Sequence, residues 1–152
     1  MKTRIRDRWQ NPNRQSSNEE NAKALAYICW QLALTSARNL HAEDYVYQDD
    51  VQRIAVIREY LIFLVHIADR LAFEKLDESS RQPFILALAH ACSNQFHRNA
   101  SDIVDEIDFK KQFIETLNIR NNSYKECSFQ YGKPGFTLLR TFGGSIKSIM
   151  GD

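Results

Sequence analysis

Apolar positions recur at helical spacing in four long segments of the chain. Between Asn18 and Asn39 the residues Leu25, Ile28, Cys29, Leu32 and Ser36 trace one stripe, while Tyr27, Trp30 and Leu34 add apolar bulk outside it. A helix that is apolar on more than one face either lies centrally or meets another subunit. Asn18 is its expected N-cap, with Glu19 and Glu20 placed where the helix dipole favours acids. The stretch His41 to Asp50 has no stripe and reads as a loop. A second helix, capped by Asp49 or Asp50, follows through Val51, Ile54, Ile57, Leu61, Leu64, Ile67 or Ala68, and Leu71 to about Leu76.

Asp77 to Ser80 interrupt that pattern. The Ser79-to-Gln82 spacing then matches a capping box for a third helix over Phe84 to Phe96, with Pro83 in its first turn, where a missing N–H costs little. Asn99, Ser101 and Asp102 offer caps for a fourth helix, in which Ile103, Ile107, Phe113 or Ile114, and Leu117 form the apolar side. From Asn121 to Gly135 turn-forming residues break the helix. Helical spacing returns from Phe136 to Met150 through Leu139, Phe142, Ile146 and Ile149 or Met150, weakened by Gly143 and Gly144 at about 1 kcal/mol each against Ala. Strand-like alternation is confined to Tyr45–Tyr47 and Ser128–Tyr131. The expectation is an all-α fold, an up-and-down helical bundle of four long helices plus a weaker C-terminal helical element, in one domain over residues 18–152.

Composition refines this picture without changing it. The 152 residues are 43% hydrophobic and 26% charged, as in ordinary globular domains. A net charge of +1 argues against a nucleic-acid or membrane-surface role for the whole domain, but the charge is segregated. Lys2, Arg4, Arg6, Arg8 and Arg14 face only Asp7 within residues 1–17, which predicts a mobile basic arm. Cys29, Cys92 and Cys127 are widely spaced and form no CxxC pair, so neither a disulfide framework nor a zinc site is expected, and a reducing cytoplasm fits. The basic start is followed by polar residues rather than an apolar core, unlike a secretory signal. No apolar stretch approaches the ~20 residues that span a bilayer, which predicts a soluble protein with no membrane partner.

Chemistry is sparse. The run Tyr60 to Phe73, YLIFLVHIADRLAF, embeds His66, Asp69 and Arg70 in an apolar helix, where each must be paired or hydrogen-bonded. His66 oriented by Asp69 would be a general base or ligand; alternatively Asp69 and Arg70 pair with charges on adjacent helices and His66 is satisfied in the core. His90 and His97 are seven residues apart, about 10 Å along a helix, too far to share a metal, so at most one joins His66. VHIADRLAF resembles the first metal-ligand helix of DinB-like four-helix bundles, which implies a metal-binding bundle. The histidine pair four residues apart that this family carries on a later helix is missing here, and the chain is not assigned to it. Neither a metal nor a cofactor is expected.

No GxGxxG, Walker, GxSxG or HExxH pattern occurs, and Gly132 to Gly135 reads as a turn before it reads as a phosphate nest. Three functions stay open. The first is a protein-interaction or adaptor module, a homodimer using the surplus apolar face of the first helix with Tyr27 and Trp30, and a C-terminal tail with Phe142 and Met150. The second is a ligand- or metal-binding enzyme with a pocket around His66, Asp69, Arg70 and His90. The third is a nucleic-acid adaptor working through the arm, where Trp9 accompanies the arginines.

Overall fold

A computed structural model describes residues 18–42 and 46–151; the expected basic arm and Tyr45 lie outside them. The fold is all-α. Five helices, α1 (Asn18–Ala42), α2 (Asp50–Lys75), α3 (Glu78–Ser101), α4 (Phe109–Tyr124) and α5 (Phe136–Met150), are accompanied by a hairpin of β1 (Phe129–Gln130) and β2 (Lys133–Pro134). Helix α2 packs against all four other helices and forms the centre of the bundle. Its burial explains why: Val56, Leu61, Ile62 and Val65 are inaccessible on several sides of the same helix.

Helix α1 turns a different face inward than its largest aliphatic residues suggest. Ala22, Ala26, Cys29, Ala33 and Ala37 form the buried stripe, with Trp30 beside it, while Ile28 and Leu32 face solvent. Small side chains let the α1 backbone approach closely, and α1 makes its most extensive packing against α3, on which Ala89, Cys92, Ser93, Phe96 and Ala100 are buried. Close approach along a whole helix length outweighs the burial of two aliphatic side chains. Trp30 is therefore a core residue rather than an interface residue.

Several boundaries differ from the sequence expectation, each for a local reason. Asn18 is already helical rather than capping. Helix α3 is capped by Asp77, whose Oδ1 accepts from Ser80 N at 2.8 Å and from Ser79 Oγ at 3.0 Å, so Pro83 falls in the second turn. Asn99 and Ser101 do not start a new helix: their side chains donate back to the carbonyls of Gln95 and His97, and buried Ala100 carries α3 onward. The fourth helix begins instead at Phe109, where Asp108 Oδ1 accepts from Lys111 N at 3.0 Å, and Ile103 and Ile107 belong to an exposed loop. It continues past Asn121 because Tyr124 is fully buried.

The predicted turn is a two-residue hairpin. Tyr131 and Gly132 both take positive φ, 54° and 70°, as a type I′ turn requires. Gly135 then starts α5, and its reason is space: a Cβ there would meet the Ser128 carbonyl oxygen at 2.8 Å. Helix α5 is a regular element that buries Leu138 and Ile146, with Leu139 turned outward.

Side chains of α2 fasten the ends of its neighbours. Near its start, Gln52 Nε2 donates to the carbonyls of Ile149 and Met150 at 3.1 and 3.3 Å, closing the C-terminus of α5. Near its end, Arg70 Nη2 donates to the carbonyls of Tyr124, Lys125 and Cys127 at 2.9, 3.0 and 2.7 Å. Helix C-termini present unpaired carbonyls and negative partial charge, and cationic donors answer both. Helix α5 thus runs antiparallel to α2 and α4 runs parallel to it, in keeping with an up-and-down bundle.

Candidate functional site

The polar residues of α2 fall into two buried groups. In the first, Glu59 is inaccessible to solvent and its carboxylate accepts from Arg58 at 3.2 Å and from Arg120 Nε of α4 at 2.7 Å. Both carboxylate oxygens are engaged. A carboxylate with both oxygens engaged by two guanidiniums lacks an open position for a reacting group, so this is a cross-link between α2 and α4. The hydrogen bond to Glu59, outweighing partial burial, holds the Arg120 guanidinium above its ordinary pKa.

The second group contains the expected cluster. His66 is buried, and its Nε2 accepts a hydrogen bond from Arg70 Nε at 3.2 Å. Burial first and the Arg70 charge second push the His66 pKa down to about 4, against smaller opposing effects from Asp69 and Asn121. The ring is neutral at physiological pH, tilted against Tyr124 at 5.1 Å between centroids. Asp69 does not orient it. Its Oδ1 instead accepts from Arg81 Nε of α3 at 2.8 Å, and the same guanidinium lies over the exposed Phe73 ring at 5.1 Å.

His90, the fourth candidate, is exposed on α3 while His66 is buried. His66 and Arg70 are thus brought together, Asp69 serves another pair, and His90 is exposed. Among the described residues no three His, Cys, Asp or Glu side chains gather where they could hold a metal ion. Nor, among those residues, is any helix long and apolar enough to cross a membrane.

Three participants, two half-buried arginines and one buried tyrosine, carry no mark in the sequence pattern. Arg58 and Arg120 pair with Glu59, and Tyr124 lies tilted against His66 and packs edge-on to Phe63 at 6.1 Å. A lone acid in the apolar run from Ile54 to Leu64 was a usable signal for Glu59; nothing local signals Arg120, whose role depends on how α4 lies against α2. The Phe63 ring is also stacked on Phe142 at 4.3 Å, which makes Phe142 an internal contact between α2 and α5.

A cavity of about 700 Å³ lies elsewhere, between the C-terminal halves of α1 and α3 and the first turns of α2. Trp30, Leu34, Ile54, Ile57 and Phe96 form its apolar wall, and Arg38, Arg53, Asp49 and Asp50 also line it. None of His66, Asp69, Arg70 and His90 does.

On the outer side of α1, Tyr27, Ile28 and Leu32 are 59%, 53% and 50% exposed. No charged residue occurs from Ala24 to Ala37, so this outward strip is uncharged between Lys23 and Arg38. Compared with protein-family models, curated proteins and solved structures, the chain matches none.

Proposed function

We propose that the protein is an interaction module that works as a homodimer, joined through the outward strip of α1. The uncharged strip carries this reading: Tyr27, Ile28 and Leu32 stand in solvent on a helix without a charge from Ala24 to Ala37. Fourteen helical residues span about 20 Å, the reach of a two-helix contact. Charge depletion with an aromatic residue is the compositional mark of an interface centre. A second copy is the natural occupant, because a strip without charge has nothing to select a charged partner and a two-fold axis sets it against itself. Trp30, Phe142 and Met150, expected at this contact, pack internally and take no part in the reading. Support for a reducing, cytoplasmic setting comes from three widely spaced cysteines without a CxxC pair.

The nucleic-acid alternative rests on residues 1–17, outside the described residues. The enzyme alternative draws less support, since His66 is buried, His90 is exposed and neither lines the cavity.

Light scattering and sedimentation at tens of micromolar should show a dimer. Ile28→Glu with Leu32→Glu should yield a monomer of unchanged helicity, the dimer Kd rising at least tenfold. A strict monomer for the unaltered protein overturns the proposal.

A further inference from the structure

The outward strip of α1 is bounded at its two ends by charges of opposite sign. Glu20 stands toward the N-terminus and Arg38 toward the C-terminus, and both are exposed. Eighteen residues make five whole turns, so the two lie on one line of the helix, about 27 Å apart, along the side that carries Tyr27, Ile28 and Gln31. Glu19, on the flank, pairs within α1 with Lys23 at 3.7 Å. Arg38 forms no ion pair among the described residues. Between the two end charges, Ala24, Ile28, Gln31 and Thr35 follow at alternating steps of four and three residues, the spacing of a coiled-coil seam. Helices that meet along such a seam cross at about 20°, shallow enough to keep both ends of the strip within reach of a partner.

Orientation decides what those ends meet. Set parallel across a two-fold axis, α1 places Glu20 against the partner's Glu20 and Arg38 against the partner's Arg38, two like-charge contacts that oppose association. Set antiparallel, with the axis level with Cys29 and Trp30, it places Glu20 beside the partner's Arg38, and the symmetry repeats that pair at the other end. The same register lays Tyr27 on the partner's Leu32 and sets small Ala24 by the partner's Thr35. Each positive helix N-terminus then lies beside a negative C-terminus.

We propose that the homodimer is antiparallel along α1, with the partner's Glu20 pairing with Arg38 at each end of an uncharged centre. This rests on the dimer reading above and adds orientation and register to it. The site is incomplete in one copy, because Glu20 and Arg38 of the same helix stand about 27 Å apart and cannot meet.

Sedimentation of the full chain and its charge exchanges tests the pairing. Glu20→Arg and Arg38→Glu should each weaken the dimer about tenfold with helicity unchanged by circular dichroism, and the two together should restore it to within about threefold. In a parallel pair each exchange would replace one like-charge contact by another and leave the Kd in place. Nitroxide labels read the orientation directly. Cys29 and Cys92 are buried, so labels go on Asn18→Cys or His41→Cys in a Cys127→Ser background. Both positions lie about 11 residues from the axis, and each should give a dipolar distance of about 35 Å across the dimer, against less than about 20 Å for a parallel pair. The labels leave Glu20 and Arg38 in place, so they decide the orientation even if a charge exchange lowers helicity. A dimer with both distances under about 20 Å, single exchanges that leave the Kd unchanged, or a double exchange no better than either single one overturns the antiparallel register and leaves the dimer reading standing. A chain that stays monomeric at tens of micromolar removes both.

Discussion

His66 has a proton equilibrium that the fold displaces. Its pKa is near 4 in the folded protein because burial removes water from the ring and Arg70 sets a positive guanidinium against Nε2, while an unfolded histidine titrates near 6.5. The unfolded chain therefore takes up a proton in a pH window where the folded protein does not. The contribution to stability is fully present above pH ~6.5 and is lost as pH falls through about 4, amounting to about 3 kcal/mol at most. Urea denaturation of the unaltered protein and of His66→Gln should show the stability difference between them shifting by about 2 to 3 kcal/mol between pH 7.5 and 4.5, to the detriment of the unaltered protein. Parallel pH profiles for the two would show that His66 does not titrate in that way. The cluster His66, Asp69 and Arg70 was visible in the sequence as polar groups in an apolar helix, but their partners were not. Arg70 reaches three carbonyls at the C-terminal end of α4 and Asp69 reaches Arg81, so spacing along α2 alone could not distribute these bonds.

At the scale of elements, the helices form where periodicity and caps agree, and their ends move where tertiary contacts outweigh a local signal. Helix α5 illustrates both effects. Two consecutive glycines weaken it, yet Leu138 and Ile146 dock it on the bundle and Gln52 closes its last turn. Gly143 and Gly144 face open space, with nothing within 4 Å of an added Cβ. Alanine at either position should stabilise the protein by about 0.5 to 1 kcal/mol, mainly by restricting the unfolded chain. Thermal unfolding checks this, and a lower Tm for both variants would mean that the glycines are required by something other than helix geometry. Helix α1 shows the opposite limit of sequence reasoning. Its apolar residues surround the helix, and which side turns inward was decided by the alanines that fit close against α3, not by the larger Ile28 and Leu32.

For the molecule as a whole, α2 is the axis on which assembly depends, and Glu59 is its charged centre. Removing its negative charge with Glu59→Gln leaves Arg58 and Arg120 without a counter-charge, for a loss of about 3 to 5 kcal/mol as judged by denaturant unfolding. A loss below about 1 kcal/mol would mean that the two arginines find solvent or other partners and that the triad is not a tether. Helix number, the all-α class, the chain order of the bundle and the turn at Gly132 were written in local patterns, because hydrophobic period, caps and turn residues act over a few positions. The inward side of α1, the pairing of Glu59 with Arg120, the burial of His66 against the exposure of His90 and the cavity lined by Arg38 and Arg53 were settled only by the tertiary structure. Each depends on the rotation and distance between helices remote in sequence, and a one-dimensional pattern carries the spacing of residues on a helix but not the neighbour that the helix meets.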